Sequence, residues 1–535
     1  MNCHGFDYII VGGGVAGCVL VSRLSSSLPD KSILLIEAGP ENADDRVAPS
    51  IGVLLSDTTD IQWNHKSVQQ KELDNKVIDQ TQGKDLGGSS AINYQAWTRG
   101  SASEFDQWAY EVGDERWSWN GLVPYFKRSE TFIPGKDMSQ EKSEAHGYSG
   151  PIKVSHVSSS GGNRNYPLKS MIADIHEAAG LKRNYDMNSG ETIGYSEFSN
   201  ATFNGKRQWA ALYPRGDNVS LWSSSQATKL FFSGMKVVGV EVLRGSSSTT
   251  ARAQEEVIVS SGAQNTPKLL LLSGIGLQAE LEQHGIQQIA DLPVGENFSD
   301  HPFLCTFWKL RDRGLALGDM EMTTPECDWT AGSGCDWFAF HRHEDESVKK
   351  LAKKTLGAKE FERFQLVGRP HTESFAIILR LIREYPRSAR IARFDSSCLS
   401  SPTHAPLVDP RFFTNPIDLK LIYECTRTNI TAIKNSFAVS KYGAVEYGIA
   451  EADRDDLSDA ALRRRLAQTC ATVFHGSGTC AMGTVVDTEC RVLGFQGLRV
   501  VDASIFPFPL ASHYQAAVYA VAEQISDIIA RGVAL

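Results

Sequence analysis

The sequence lacks a long apolar run, an excess of positive charge and any Cys-x-x-Cys pair. Its longest apolar stretches, residues 269–272 and 516–522, fall well short of the ~20 residues that span a bilayer. Acidic residues outnumber basic residues by 63 to 54, which disfavours nucleic acid or an anionic membrane as the main partner. The ten cysteines are scattered, so we expect neither a metal site nor a disulfide framework.

Length and composition indicate a globular protein with more than one domain. The chain has 535 residues, of which 41% are hydrophobic and 22% charged. A chain of that length is expected to form about two to four domains. Strand-like residues begin within a few positions of Met1 and leave no room for a cleavable signal segment. We therefore expect an intracellular, cytoplasmic protein without a membrane span.

The first glycine cluster predicts a dinucleotide site. The apolar residues 8–11 lead into Gly12, Gly14 and Gly17, after which a helical pattern begins. A strand, a tight turn and a helix in this order let the backbone approach a pyrophosphate, and the helix N-terminus adds positive potential. Glu37 ends the next apolar run, 20 residues after Gly17, where a carboxylate can accept both ribose hydroxyls.

The middle of the chain predicts further strands and helices. Residues 236–242 alternate as a strand, 245–250 form a hairpin tip, and 255–263 form a strand that returns to a parallel sheet. A short helix is predicted to begin at Pro267, because proline suits a first helical position. The charged stretch from residue 344 to 364, with apolar residues at helical spacing, predicts one solvated amphipathic helix.

Two histidines near the C-terminus are candidate catalytic groups. Ser512 and Gln515 form a capping-box pattern, so a helix is predicted to begin at about His513. A helix N-terminus disfavours an imidazolium, and we therefore expect His513 to be neutral at pH 7. His475 lies in a glycine- and threonine-rich loop that can bring its imidazole to the same point. A neutral histidine suits removal of a hydroxyl proton.

Three further segments follow one another in a recognisable order. They are residues 83–93 (GKDLGGSSAIN) with 97–106, residues 262–276 with 291–302 (DLPVGENFSDHP), and residues 475–483 (HGSGTCAMG) with 498–504 and His513. Together these segments resemble the glucose-methanol-choline oxidoreductase family of flavoproteins. The resemblance spans both ends and the middle of the chain.

The resemblance implies that the bound dinucleotide is FAD. It places the pyrophosphate at Gly12, Gly14 and Gly17 and the adenosine ribose at Glu37. It places Asp502 near the ribityl or phosphate end, and the flavin along a loop that contains Gly87, Gly88, Ser89, Ser90 and Asn93. Some members attach the flavin through a histidine in this loop. This chain has Asn93 and no histidine nearby, so non-covalent FAD is expected.

The resemblance also implies oxidation of a small-molecule alcohol to an aldehyde or ketone, with hydride transfer to flavin N5. His475 would be the principal base and His513 would hydrogen-bond the substrate oxygen. O2 or a quinone-type acceptor would reoxidise the flavin. The sequence decides neither this acceptor, nor the alcohol, nor the oligomeric state. Gly476 stands where many relatives have proline, and residues 388–390 replace a usual glycine-bearing turn, so the pocket is expected to differ.

Two alternatives use the same scaffold. Hydroxynitrile lyases of this fold keep FAD as a structural group and use the histidine site for proton transfer alone, so a non-redox lyase stays an alternative. Light-driven decarboxylation, as in the fatty-acid photodecarboxylases of the family, is disfavoured because the pair His475 and His513 is complete for alcohol chemistry.

The predicted fold class is α/β. A Rossmann-like FAD-binding domain comprises residues 1–150, 201–310 and 466–535. A discontinuous α+β substrate-binding domain, an antiparallel sheet backed by helices, comprises residues 151–200 and 311–465.

Three other histidines are not assigned to catalysis. His341 and His343 flank Arg342 in a polar stretch and, without further nearby ligands, are predicted to lie at the surface rather than to bind a metal. His301 follows Asp300, where a role in a hinge or beside the cofactor is expected.

Overall fold

A computed structural model describes the chain except for residues 1–2, 42–45, 51, 139–143, 162–165, 313–314, 316–331, 378–401 and 534–535. The departure from the family pattern at residues 388–390 lies outside the described residues. The helices are α1 (Val15–Ser27), α2 (Gly52–Leu55), α3 (Ser89–Ile92), α4 (Ala102–Val112), α5 (Trp119–Ser129), α6 (Lys169–Ala178), α7 (Gly262–Leu272), α8 (Gln278–Gln283), α9 (Glu346–Thr355), α10 (Ala358–Gln365), α11 (Pro416–Asn435), α12 (Phe437–Ser440), α13 (Asp459–Thr469) and α14 (Gln515–Val533).

The strands of the described residues are mostly short. They are β1 (Cys3–Val11), β2 (Ile33–Ile36), β3 (Gln62–Trp63), β4 (Gln82–Gly83), β5 (Glu130–Ile133), β6 (Ile152–His156), β7 (Gly194–Glu197), β8 (Ser199–Asn200), β9 (Thr202–Phe203), β10 (Lys206–Arg207), β11 (Val219–Trp222), β12 (Ser225–Ser233), β13 (Lys236–Arg244), β14 (Ser247–Val259), β15 (Pro302–Phe303), β16 (Phe307–Lys309), β17 (Cys335–His341), β18 (Thr372–Ile377), β19 (Val445–Tyr447), β20 (Ala471–Thr472) and β21 (Leu498–Val500).

A seven-stranded mixed sheet forms the centre of the molecule. Its order is β11-β2-β1-β14-β13-β12, and β21 pairs with the end of β14. Strands β11, β2, β1, β14 and β21 are parallel. The apolar run of β2 is buried throughout, as expected for a parallel strand covered on both faces. The α/β class and the Rossmann-like fold predicted from the sequence are confirmed.

Strand β14 takes part in both antiparallel and parallel pairing. Its first half pairs antiparallel with β13, and its second half continues beside the parallel strand β21. The predicted hairpin and its flanking strands are therefore confirmed, but its turn is limited to residues 245–246, because β14 already begins at Ser247. The helix after β14 begins at Gly262, and the predicted start at Pro267 is wrong. The helix can begin earlier because the carboxylate of Asp502 accepts the backbone N–H of Gly262, which has no partner within the helix.

Helix α1 packs on the parallel strands β1 and β2, and α14 packs beside α1 and α5. Val19, Leu20 and Leu24 of α1 are fully buried in one apolar cluster with the sheet, together with Val521 and Ile525 of α14. Burial of one such side chain contributes about 1.5–3 kcal/mol. The largest apolar cluster of the described chain therefore supports the strand from which the glycine turn emerges.

A smaller antiparallel sheet has the order β18-β17-β7. Side chains of β17 alternate: Trp337 and Ala339 pack with Met171 of α6, whereas Phe338 and Phe340 belong to a separate apolar cluster. This is the predicted antiparallel sheet backed by helices. Its strands come from both ranges predicted for the substrate-binding domain. The predicted boundary at residue 150 lies between β5 and β6, which pair in parallel. The domain division stays a prediction.

Two other local predictions are wrong. The stretch predicted as one helix from residue 344 to 364 forms α9 and α10, which are separated at the extended Leu356 and at Gly357, a poor helix former. His341 and His343 are buried rather than exposed. Their rings hydrogen-bond hydroxyls at the start of β18, which pairs with β17.

Among the described helices, none has the length and apolar character that a membrane span requires. The described histidine, cysteine and acidic side chains form no cluster that could hold a metal ion. Within the described residues, no two cysteines form a disulfide bond.

One buried carboxylate joins three elements around the central sheet. Glu523 of α14 accepts hydrogen bonds from Arg23 of α1 at 2.7 and 2.8 Å, from Nε of Arg128 of α5 at 2.6 Å, and from the Tyr213 hydroxyl at 2.9 Å. The Glu523 side chain is fully buried, and those of the two arginines are about one-third exposed or less. Two guanidinium groups thus compensate the negative charge of the buried Glu523 carboxylate.

Glu523→Gln should destabilise the protein by about 2–4 kcal/mol, because it leaves the partly buried Arg23 without its anion and leaves Arg128 paired with Asp527 alone. The measurement is the apparent melting temperature of the FAD-bound protein. Glu255→Gln is the matched control, since the exposed Glu255–Lys31 pair at 2.8 Å should contribute no more than about 1 kcal/mol. Equal shifts for the two variants would contradict the structural role given to Glu523.

Candidate active site

The ends of four parallel strands bring the cofactor-side residues together. Val11 is in register with Ile36 on one side and with Val259 on the other, and Val259 is in register with Val500. The residues that follow these strand ends therefore meet at one edge of the sheet. They include Gly12, Glu37, Ser260 and Asp502. Ligands of open parallel sheets bind at this edge, beyond the carboxyl ends of the strands.

The glycines of the first turn have different physical roles. Gly12 has φ +102°, and a Cβ there would lie 2.5 Å from the carbonyl oxygen of Ser260. A Cβ at Gly17 would overlap the carbonyl oxygen of Gly12, so Gly17 lets α1 pack against the turn. A Cβ at Gly14 would meet nothing nearer than 3.9 Å. Gly12 and Gly14 line a cavity, whereas Gly17 does not.

Glu37 is held by backbone donors on both sides. Its Oε2 accepts the N–H of Gly13 and its Oε1 accepts the N–H of Gly39, each at 2.7 Å. Burial raises the pKa of Glu37 to about 7, and the two N–H donors oppose that rise. Each carboxylate oxygen keeps a second lone pair that can accept a ribose hydroxyl.

The second glycine-rich loop packs directly on the first. The N–H of Gly87 donates to the carbonyl of Gly13 at 2.7 Å, and a Cβ at Gly88 would lie 2.7 Å from Cα of Gly14. Both Gly87 and Gly88 have positive φ. Ser90 Oγ donates to the carbonyl of Gly87 at 2.6 Å. Ser89 Oγ accepts the N–H of Gly83 at 3.1 Å. Gly88, Ser89 and Ser90 line the cavity, and Gly87 lies behind them.

Asn93 and Asp502 are both fixed by other groups. Asn93 Oδ1 accepts from Nη1 of Arg207 at 2.9 Å, and its Nδ2 donates to Gln515 at 3.1 Å. Asp502 Oδ2 accepts from Gly262 and Thr266, and Oδ1 accepts the N–H of Ser504. Both residues line the cavity. Arg207 has no local sequence signal and was missed.

The two predicted catalytic histidines lie side by side. The ring centroids of His475 and His513 are 4.7 Å apart, and the ring planes are nearly perpendicular. Helix α14 begins at Gln515, so His513 lies just before the helix rather than in its first turn. The predicted capping box does not form: Gln515 Nε2 donates to the carbonyl of Ala96, and Ser512 Oγ has no hydrogen-bond partner in the described structure.

Asp300 joins the loops that carry two histidines. Its Oδ1 accepts the backbone N–H of His301 at 2.8 Å and that of His475 at 2.9 Å. Its Oδ2 accepts from Gln80 Nε2 at 3.0 Å and from Thr472. The loops also pair as β15 and β20. One buried carboxylate therefore fixes the backbone on both sides of the site.

His301 is a third member of the histidine cluster. Its Nδ1 lies 3.0 Å from Nδ1 of His475, and its Nε2 lies 3.3 Å from the hydroxyl of Tyr514. The expectation for His301 was a hinge or a cofactor-side position, and nothing in the sequence indicated direct contact with His475. Burial lowers the pKa of His475 well below its ordinary value and that of His301 to about 3. Both rings are therefore neutral at pH 7.

His513 has an acidic partner that the sequence did not indicate. Its Nε2 lies 2.9 Å from Oε1 of Glu373 on β18, and its ring stacks on Phe338 at a centroid distance of 5.1 Å. Its backbone N–H donates to Thr98 Oγ1 at 2.7 Å. A contact between residues 140 positions apart in the chain leaves no local pattern to detect.

A cavity of about 1760 Å³ connects the glycine turns with the histidines. Gly12, Gly14 and Glu37 line one end, and His475 and His513 line the other. A ligand that reaches from the strand ends to the histidines therefore has a continuous path.

Family models described as GMC oxidoreductase match residues 6–303 and 393–522. The chain belongs to the GMC oxidoreductase family. It is 34% identical to the GMC-type oxidoreductase acuG of Aspergillus aculeatus, over 98% of this chain and 99% of that protein. It is 30% identical to Alcohol dehydrogenase (acceptor) of Pseudomonas putida, over 99% and 96% of the two chains. A mutated Aspergillus oryzae formate oxidase has a TM-score of 0.87 at 26% identity, covering 99% and 98% of the two chains.

As a GMC oxidoreductase, the chain is an oxidoreductase that binds FAD. Its residues fit this cofactor. Gly14 leaves open space next to a helix N-terminus, where phosphate oxygens can approach the backbone. The cavity then continues past Ser90 and Asn93 to His475.

Gly14→Ala should weaken FAD binding about tenfold or more, because the added Cβ occupies space beside the helix N-terminus without displacing protein atoms. The dissociation constant for FAD is measured by titration of the apoprotein, together with its unfolding temperature, which should be unchanged. Gly5→Ala in β1 is the control, since its Cβ would meet nothing nearer than 3.8 Å, away from the cavity. Wild-type FAD affinity in Gly14→Ala would contradict the assignment.

Proposed function

We propose that this GMC oxidoreductase oxidises an alcohol to an aldehyde or ketone, with His475 as the base that takes the hydroxyl proton. The observation that carries the proposal is the neutral His475 ring beside His513, in a cavity continuous with the FAD-binding turns. The names of relatives such as the Pseudomonas alcohol dehydrogenase support the reaction class. FAD, when bound, supplies the acceptor for the hydride that leaves the alcohol carbon.

The proton step uses the two nitrogens of His475 differently. Nδ1 is engaged with His301, and no hydrogen bond from the described residues reaches Nε2. Nε2 is therefore the atom that accepts the hydroxyl proton. For this to occur, Nδ1 of His475 must carry the proton that lies between the two rings, since the partner of one nitrogen sets the state of the other.

His513 orients the substrate in this proposal. Its Nε2 donates to the Glu373 carboxylate and Phe338 packs on its face, so Nδ1 is the ring atom left for the substrate oxygen. Nδ1 donates to that oxygen when the ring carries both protons, with Glu373 as the counter-ion. The near-perpendicular rings of His475 and His513 then converge on one oxygen. Positioning of this kind accelerates a reaction because the orientation is already present before the chemical step.

His475→Ala should slow reduction of the flavin by alcohol about a hundredfold to ten-thousandfold, the usual contribution of a positioned base. The protein should stay yellow. Anaerobic stopped-flow spectroscopy measures the rate, using an alcohol found by screening sugars, aryl alcohols and aliphatic alcohols. His404→Ala, at an exposed histidine, is the control and should reduce its flavin at the parent rate. A parent rate in His475→Ala would refute the base assignment.

The same experiment separates oxidation from the lyase alternative. An oxidising enzyme bleaches its flavin when alcohol is added without oxygen, whereas a lyase that keeps FAD as a structural group does not. Peroxide release in air then distinguishes O2 from a quinone-type acceptor.

We propose that the FAD is bound non-covalently. The loop of residues 87–93 contains no histidine, and Asn93 is held by Arg207 and Gln515. Acid precipitation should therefore release all the flavin into the supernatant, as measured by its absorbance. Yellow colour retained in the washed pellet would contradict this proposal.

A further inference from the structure

Arg207, at the end of β10, is a buried cation with no anionic partner in the described part of the chain. Its side chain is 1% exposed, and none of the described carboxylates forms an ion pair with it. Other buried arginines of the chain are paired: Arg99 lies 2.6 Å from Glu130, and Arg465 lies 3.0 Å from Glu446. An isolated buried charge is costly, and proteins normally pair it. Arg207 therefore differs from the structural arginines.

The hydrogen bonds of Arg207 go to neutral oxygens of the flavin-side loop. Nη1 donates to the carbonyl of Asn93 at 2.7 Å, to Asn93 Oδ1 at 2.9 Å and to the carbonyl of Ser90 at 3.2 Å. Nε donates to the carbonyl of Val47 at 3.0 Å. Nη2 has no hydrogen-bond partner within the described chain. Burial lowers the pKa of Arg207 to about 9, which still leaves it charged at neutral pH.

The loop that Arg207 holds separates it from the FAD cavity. Ser90 and Asn93 bond the guanidinium through their oxygens, and both residues also line the cavity. FAD is anionic, and its reduction by two electrons and one proton adds a further negative charge to the ring system. A cation buried behind this loop is therefore placed to offset charge on the cavity side, where a low dielectric strengthens the interaction.

We propose that Arg207 is a positioning residue for FAD: its fork fixes the Ser90–Asn93 turn, and its charge favours the reduced over the oxidised flavin. The proposal rests on FAD binding and on the proposed position of the flavin along residues 87–93. It is independent of His475, because the test reduces the flavin with dithionite and needs no alcohol.

The test compares Arg207→Gln, which removes the charge, with Arg207→Lys, which keeps it. The midpoint potential of the bound flavin is measured in anaerobic dithionite titrations with a reference dye. Arg207→Gln should lower the preference for the reduced flavin about tenfold, which is about 30 mV for a two-electron couple. Arg207→Lys should keep the parent potential. FAD should bind more weakly to it, because the hydrogen bonds from the guanidinium to Asn93 are lost.

Arg207→Met covers the case in which Arg207→Gln is recovered without FAD, since an apolar side chain of similar length brings no polar group of its own into the buried position. Apoprotein reconstituted with FAD should show the same tenfold change. The matched control is Arg465→Gln, at an arginine buried beside Glu446 and absent from the cavity wall. It should lower the melting temperature and leave the potential unchanged.

A parent potential in both Arg207→Gln and Arg207→Met would overturn the proposal. So would an equal change in Arg207→Lys, because the effect would then come from the shape of the loop rather than from charge. Weaker FAD binding in Arg207→Gln or Arg207→Met without any change in their potential would place the charge against the diphosphate, and would also overturn the proposal.

Discussion

The common register of the parallel strands is the constraint on which the site depends. Val11, Ile36, Val259 and Val500 lie at one level of the central sheet, so the residues after them converge. A slip of one residue in any of these strands would turn its side chains to the opposite face. The cofactor site therefore depends on the buried apolar side chains that fix the register of these strands.

A second set of contacts brings the histidine-bearing loops together. Asp300 accepts backbone N–H groups from both His301 and His475, and pairing of β15 with β20 aligns the two loops. Burial then keeps these rings neutral, as proton acceptance requires. Elsewhere in the molecule, the cost of burying a charged side chain is compensated in other ways. Glu523 is matched by two guanidinium groups, whereas Arg207 has only neutral acceptors from the described chain. This contrast distinguishes the charge of Glu523, which is neutralised within the protein, from the charge of Arg207, which is available to a ligand.

Much of the fold is readable from local patterns. The βαβ unit around Gly12 and Glu37 and the hairpin near residue 245 were predicted because each is specified by adjacent residues. The antiparallel sheet was predicted only as part of the second domain, since it pairs residues 194–197 with residues 337–340. Helix boundaries were less accurate. The start at Gly262 depends on Asp502, and the start at Gln515 follows contacts with distant residues rather than a local cap. Groups supplied from remote parts of the chain override local capping signals.

The sequence by itself determined the dinucleotide turn, the family and the candidate histidines His475 and His513, because glycine spacing and short motifs encode them locally. Only the tertiary structure decided that His301 contacts His475, that Glu373 contacts His513 and that Arg207 holds Asn93. Their contacts join positions from 114 to 174 residues apart. Such contacts exist only after the sheets have formed and the intervening water has been excluded, so no local spacing records them.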